Sequence, residues 1–310
     1  MIRVLAAFCG FVCVTGVASA APECDRTCLY QVLDHYLAAL KAGDASRAGF
    51  APGARTSENN VMLRPGDGMW GTITALGAYD LRFADPQTGA VGFYGVVRET
   101  DTDSPFAVRL KVRGRLVTEA ETIVARPQEA GVPFVTADIK PLAVLNEVVP
   151  AAARSSRERL IAIANGYFDT IQLNDGTLHT AFSDDCNRRE DGFQTTNRTD
   201  DTWGDITHLG CGPQFSLGWY RYDDRLRDRR FLVVDQERGL VMAAGFIDHE
   251  GRLGDYKLAD GRTASSKLFR HPHTYCLLET FKIRGGKIQQ VEAVFTTVPY
   301  YMPTPWAAPK

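Results

Sequence analysis

The strongest constraint on this chain is that it resembles itself. The segment VRLKVRGRLVTEAETIV, from Val108, and the segment ETFKIRGGKIQQVEAVF, from Glu279, place Lys111, Arg113, Gly114 and Glu121 on Lys282, Arg284, Gly285 and Glu292 at one constant offset. Self-similarity at a fixed long period means that one supersecondary unit occurs twice. Both segments alternate, as Phe281 and Ile283 show, break at a turn (Arg284-Gly285-Gly286) and resume alternating from Ile288. That is the pattern of a half-buried β-hairpin.

The repeat extends toward the N-terminus. In LYQVLDHYLAALKAGD, Leu29, Val32, Leu33, Tyr36, Leu37 and Leu40 share one helical face that ends at Gly43. In LIAIANGYFDTIQLND, Leu160, Ile163, Ala164, Tyr167, Phe168 and Ile171 form the equivalent face, and Tyr167 answers Tyr36. Apolar residues at this spacing need a partner surface to cover them. Arg55 to Trp70 parallels Asn187 to Trp203, which sets Glu58-Asn59 on Glu190-Asp191 and Trp70 on Trp203 within one residue. Strand-like runs follow at Val91 to Glu99, Arg230 to Val234 and Leu240 to Asp248. Each half therefore reads as α+β, a helix followed by an antiparallel sheet. The expected organisation is a leader at 1–20, a first unit at 21–126, a connection at 127–156 and a second unit at 157–310. Pro127, Pro133, Pro141 and Pro150 make the connection an ordered crossing segment and not a long helix. The tail VPYYMPTPW, Val298 to Trp306, is too aromatic to leave in water and is expected to pack across a domain or cap a pocket.

Arg3, the apolar run Val4 to Val17 and Ala18-Ser19-Ala20 form a signal peptide pattern with cleavage after Ala20. The run is short for a bilayer span of about 20 residues, so no membrane association is expected after cleavage and the mature chain is periplasmic or secreted. Of seven cysteines, Cys9 and Cys13 leave with the leader, and disulfides can persist among the remaining five. Cys186 and Cys211 flank a polar, turn-rich loop and are the better candidate pair. Cys24 and Cys28 are close enough to pair if the helix start is distorted, and Cys276, in an apolar strand pattern, reads as a buried thiol. Neither C-x-x-C nor H-x-x-x-H occurs, so no metal site is expected.

Thirty-five basic residues against 37 acidic ones, a net charge of -2, are scattered without a basic stripe, which argues against a nucleic-acid partner. No G-x-S-x-G, Walker or dinucleotide fingerprint is present, so hydrolase, NTPase and Rossmann chemistry are disfavoured and no cofactor is expected. Among candidate catalytic groups, Glu190 leads because it matches Glu58. Adjacent strand residues face opposite ways, so only one of Glu190 and Asp191 can enter a pocket. A carboxyl in an apolar pocket acquires a raised pKa suited to acid–base work near neutrality, although Glu190 could equally pair with an arginine. Five of six histidines, His179, His208, His249, His271 and His273, lie in the second half, which favours that half for proton transfer. His271-Pro272-His273 precedes a strand and is placed to bring an imidazole to a pocket mouth or to form an exposed turn. Tyr167 is a candidate proton donor. Arg189, Trp203, Glu292 and Tyr300 in the second half, and Glu58, Asn59 and Trp70 in the first, are candidate substrate contacts; the aromatic ones could instead be core. Arg98 and Arg109 could bind a carboxylate or face water. The run DDRLRDRR, Asp223 to Arg230, reads as a solvated loop.

The order of an amphipathic helix, a Trp-containing polar loop and a closing K-[VI]-R-G hairpin followed by Glu resembles the SnoaL-like branch of the nuclear transport factor 2-like superfamily. Arg55 to Thr72 and Asp185 to Asn197 are similar to the R-x-x-E-N-G and G-x-G-x-W loops of exported two-domain bacterial and fungal proteins of this type. The resemblance implies two tandem cystatin-like α+β rolls, each with helices packed on a curved antiparallel sheet around a conical apolar pocket. Because such folds host many chemistries, activity rests on the pocket. The expectation is a cofactor-independent lyase, dehydratase or isomerase acting on a hydrophobic, aromatic, lignin-derived-like small molecule, with Glu190 as base and a histidine or tyrosine as acid. The alternative is a non-catalytic periplasmic small-molecule-binding or scaffolding protein. The chain would be an internal pseudo-dimer, monomeric or homodimeric as a whole.

Overall fold

The computed structural model describes residues 24–127, 135–137, 139–201 and 204–307. The expected leader and Trp203 lie outside the described residues. The first half runs α1 (Arg26–Lys41), β1 (Phe50–Glu58), β2 (Val61–Leu63), β3 (Ile73–Leu76), β4 (Leu81–Asp85), β5 (Ala90–Glu99), β6 (Thr102–Arg113) and β7 (Leu116–Val124). After a short turn, α2 (Ala143–Asn146), the second half runs α3 (Arg157–Ile171), β8 (Phe182–Glu190), β9 (Phe193–Gln194), α4 (Cys211–Ser216), β10 (Arg225–Asp235) and β11 (Leu240–His249). It closes with β12 (Tyr256–Lys257), β13 (Thr263–Ala264), β14 (His273–Arg284) and β15 (Lys287–Val298).

One sheet has the order β2-β1-β7-β6-β5-β3, with β4 also on β5, and the other β9-β8-β15-β14-β11-β10. Each departs from antiparallel pairing once: β1 runs parallel to β7, and β8 to β15. The repeat reaches the hydrogen-bond level. Ser57 and Glu58 pair with Glu121 and Thr122 as Arg189 and Glu190 pair with Glu292 and Ala293. The next residues, Asn59 and Asp191, both have φ of 47°, and each side chain accepts from the backbone of the hairpin's last strand, Val124 N at 2.8 Å and Phe295 N at 3.0 Å. Asn and Asp tolerate this left-handed conformation better than other non-glycine residues. The hairpin turns match too: Gly114-Arg115 and Gly285-Gly286 have positive φ at both central positions, the hand that suits strand twist.

Asp25 caps α1 by accepting from Cys28 N at 2.8 Å, and Ser156 caps α3 by accepting from Arg159 N at 3.2 Å. The apolar stripe of α1 packs on Phe106, Val108 and Leu110, that of α3 on Leu277, Phe281 and Val291. The other faces of the two sheets meet in one cluster in which Phe83, Tyr94 and Ala107 pack with Met242, Phe246 and Leu278. The layers are thus helix, sheet, sheet, helix. Two sets of polar contacts between the halves are reciprocal. Arg26 opens α1 and pairs with Asp235 at 2.5 Å, while Arg157 opens α3 and pairs with Asp85 at 2.7 Å. Asp235 also accepts from Ala84 N, and Asp85 from Val234 N, both at 3.2 Å. An interface in which i meets j and j meets i is isologous, the arrangement of a two-fold dimer.

The described part of the connection contacts the second half: Val135 N donates to Asp191 O at 2.9 Å and Lys282 Nζ to Glu147 O at 2.7 Å. The tail crosses to the first half, and its described residues line neither the cavity of about 300 Å³ in the second half nor that of about 20 Å³ in the first. Asn60 and Arg55 donate to the carbonyls of Pro303 and Pro305 at 2.9 and 2.7 Å, and Trp306 Nε1 donates to Ser57 Oγ at 3.0 Å. The guanidinium groups of Arg55 and Arg109 lie over the Trp306 ring, 4.7 and 5.2 Å from its centre. The charge run expected as a loop is largely strand β10, because its charges find distant partners: Arg227 pairs with Asp248 at 2.9 Å, Arg229 with Asp169 at 2.5 Å and Arg230 with Glu121 at 2.5 Å.

Cys24 pairs with Cys28 and Cys186 with Cys211. The first bridge needs no helix distortion, since Cys24 precedes the cap residue and α1 is regular from Arg26. Cys276 is a buried free thiol pushed up by desolvation. The two bridges fit an oxidising compartment, and among the described residues no helix is long and apolar enough to cross a membrane.

Candidate functional site

A cavity of about 300 Å³ opens in the second half, floored by β8, β14 and β15 and walled by α3 and the segments around α4 and 219–223. At the equivalent place in the first half only about 20 Å³ remains. Two local differences account for this. In the first half Trp70 and Met69 fill the space, with the Trp70 ring edge-on to Tyr36 at 5.4 Å. In the second half the two residues Thr100-Asp101 that link β5 to β6 are replaced between β11 and β14 by an excursion carrying β12 and β13, which brings Ser265, Leu268 and Phe269 to the rim.

The second cavity also differs in chemistry. At the hairpin's constant offset Glu279 stands where the first half has Val108 and Tyr275 where it has Ser104, and the strand pairing that sets Glu190 on Glu58 sets Arg188 on Thr56. Alternation along β8 puts Arg188 and Glu190 on one face, with Arg188 Nη2 3.3 Å from Glu190 Oε1. Arg188 is fully buried, its guanidinium stacked 4.7 Å from the rings of both Phe215 and Tyr220. It donates to the Tyr220 hydroxyl, which donates to Gln214 Oε1 at 3.0 Å. Burial pushes the Tyr220 hydroxyl up to about 12, against the pull of Arg188.

Glu279 lines the cavity at 4% exposure. Burial, aided by the neighbouring Glu190 charge, pushes its carboxyl up to about 8, with Arg188 and the Tyr167 hydroxyl acting in the other direction. A third carboxyl, Asp223, also lines the cavity and is raised by burial, partly offset by His249, whose Nε2 lies 2.9 Å from Asp223 Oδ1. At neutral pH the site therefore offers a protonated carboxylic acid at Glu279 and, across the same space, the Glu190 carboxyl held by a guanidinium. A carboxyl raised by burial can act as a general acid beside a second carboxyl that is paired with a guanidinium.

The residues expected from sequence separate into two groups. Glu190 and Tyr167 line the cavity, Tyr167 with its ring edge-on to Phe215 at 5.4 Å. Arg189 and Glu292 do not. They are cross-strand partners on the opposite face, where Glu292 accepts from Tyr79 of the first half at 2.7 Å and lies 3.7 Å from Arg189. Burial between the halves pushes Glu292 up to about 7. His271 is exposed, and its carbonyl lies 2.9 Å from His273 Nδ1. His273 follows the cavity face of β14 but sits one step beyond it, stacked on His249 at 4.3 Å and pushed down to about 4 by burial. Tyr300 is exposed on the tail. In the first half Glu58 accepts from Met69 N and pairs with Arg126, both at 2.7 Å, Asn59 clasps β7, and Trp70 is core. Arg98 pairs with Asp103 at 2.7 Å and Arg109 with Glu121 at 3.1 Å.

Glu279, Asp223, Arg188 and His249 were not among the expected catalytic residues. A signal for Glu279 existed: aligned with Val108, it is the one charge between Leu277 and Phe281 on a face that otherwise packs on α3.

Fold and site together define a mixed α+β protein of two large sheets and a small two-stranded one, with an acidic, aromatic-lined cavity. Residues 153–295, the half that holds the cavity, match the family model of a domain of unknown function, DUF8021. No curated protein matches the chain. Among solved structures, a protein of unknown function with cystatin-like fold from Methylobium petroleophilum PM1 is 18% identical, with a TM-score of 0.28 over 39% of this chain and 100% of that one. A de novo designed protein with a curved β-sheet is 16% identical, with a TM-score of 0.27 over 32% of this chain and 87% of that one. A protein from Kribbella flavida DSM 17836 is 17% identical, with a TM-score of 0.27 over 31% of this chain and 86% of that one. Likenesses at this level carry nothing about function.

Proposed function

We propose that this is an exported, cofactor-independent acid–base catalyst, a lyase, dehydratase or isomerase, that takes a hydrophobic aromatic small molecule into the second-half cavity. In this reading each half is a cystatin-like roll of the nuclear transport factor 2-like type, and the chain is a covalent pseudo-dimer, periplasmic or secreted, in which one half keeps an open site. The observation that carries the reading is the pair of carboxyls in unlike surroundings, Glu279 buried and raised to about 8 and Glu190 beside Arg188, in a cavity of about 300 Å³.

Glu190 is the base, removing a proton from the substrate carbon or hydroxyl. Glu279 is the acid, protonating the departing oxygen or the carbonyl that becomes an enol. It takes the part that sequence assigned to a histidine or tyrosine, and Tyr167 serves as a ring wall. The test is turnover of lignin-derived dimers and hydroxy-ketones by the mature chain and its Glu190→Gln and Glu279→Gln variants. Each variant is expected to lose about 100-fold or more. Undiminished turnover in a folded variant removes that residue from the reaction, and ligand retention without turnover of any compound favours a binding protein.

A further inference from the structure

The cavity wall holds three carboxyl side chains, Glu190, Asp223 and Glu279, and among the described residues no lysine, arginine or histidine reaches it. The remaining wall is chiefly aromatic: Phe193, Trp219, Tyr222, Phe269, Tyr275 and Phe295 all contribute. Tyr222 and Phe269 stack face to face at 3.8 Å, and Tyr275 packs on Phe295 at 4.9 Å. The guanidinium beside the carboxyls, Arg188, is screened by the Phe215 and Tyr220 rings and is paired with Glu190, and that of Arg198 lies behind the Phe193 ring and is paired with Asp200. Ring faces present negative potential, and with carboxyls among them they attract a desolvated cation and repel an anion.

We propose that the substrate of this site carries a positively charged nitrogen, an amine or quaternary ammonium group on an aromatic or aliphatic skeleton. The proposal rests on the acid–base reading of the same cavity and adds the class of molecule it accepts. The repeat supplies the contrast. Where the first half is filled, the positions of Glu279 and Tyr275 hold Val108 and Ser104, so the fold itself needs neither the charge nor the ring. A carboxyl put in place of a valine in a packed interior works against stability. Its presence in the half with open space points to a bound group that satisfies it, and an ammonium N–H can donate to the carbonyl oxygen of the protonated acid. Asp223, held by His249 on another wall, gives the cation a second carboxyl to approach.

The experiment is calorimetric titration of the unmodified mature protein at neutral pH with three probes of like size: 2-phenylethylammonium, 2-phenylethanol and 3-phenylpropanoate. The expected order is cation tightest, alcohol about tenfold weaker or more, and carboxylate weakest. In Asp223→Asn the cation should weaken by about tenfold while the alcohol is unchanged. Alcohol or carboxylate binding as tight as the cation, or no cation binding at millimolar concentration, overturns the proposal. Turnover separates the two claims. If Glu190→Gln and Glu279→Gln abolish turnover of neutral aromatics but the cation shows no preference, the substrate class falls and the acid–base reading stands. Cation preference with undiminished turnover in those variants gives the reverse.

Discussion

Replacing Glu279 by Gln should stabilise the protein, increasingly so as pH rises. The ordinary value of 4.5 for this carboxyl becomes about 8 in the folded chain. Between those limits the unfolded chain releases the proton while the folded one retains it, so the unfolded state binds fewer protons and stability falls with rising pH. The contribution is neutral below about pH 4.5 and fully unfavourable above about pH 8. At 1.36 kcal/mol per pKa unit the ceiling is about 5 kcal/mol. Water entering the open cavity lowers that figure, and about 2 kcal/mol is the least the reasoning tolerates. Glutamine keeps the volume and cannot ionise, so it removes the cost. The assay is thermal unfolding of wild type and Glu279→Gln from pH 4 to 9. The variant should match or trail wild type near pH 4.5 and exceed it by about 4 to 8 °C at pH 9. A difference that does not change with pH, or wild type gaining on the variant at alkaline pH, refutes the burial argument.

Other outcomes follow from the same contacts. Turnover should decline as pH passes about 8, where Glu279 loses the proton it donates, and pH–rate profiles measure this limb directly; an alkaline limb unchanged in residual Glu279→Gln activity counts against the assignment. Asp85→Asn should cost about 3 kcal/mol in urea unfolding, because it leaves Arg157 facing the interface without its counter-charge, and Asp235→Asn should cost less, because Glu237, 3.2 Å from Arg26, still faces that guanidinium. Trp306→Ala should lose about 3 kcal/mol of stability by the same measurement yet leave ligand binding unaltered, since the ring is clamped on the first half, away from the cavity.

Much of the fold was legible in the sequence because period and turn chemistry are local. The helix stripes of α1 and α3, the glycine turns and the offset linking Glu121 to Glu292 all appear in the structure. Alternation states that a strand has two faces but not which face meets its helix and which meets the other half. Arg189 and Glu292 were therefore expected in a pocket and lie between the sheets instead. The β10 charges looked solvated because their partners, Asp169 and Glu121, are remote in sequence. At the site, Glu190 and Tyr167 were found through the repeat, since they match residues of the first half. Glu279 escaped notice because it does not match: its counterpart is a valine, and a repeat points only to residues that the halves share.

Carbon NMR titration of the side-chain carboxyls, with Glu279→Gln and Glu292→Gln as assignment variants, tests the central claim most directly. The account predicts one carboxyl titrating near 8 that disappears in Glu279→Gln, distinct from one near 7 that disappears in Glu292→Gln. A Glu279 carboxyl titrating at the ordinary glutamate value would leave the cavity without its acid and contradict the account.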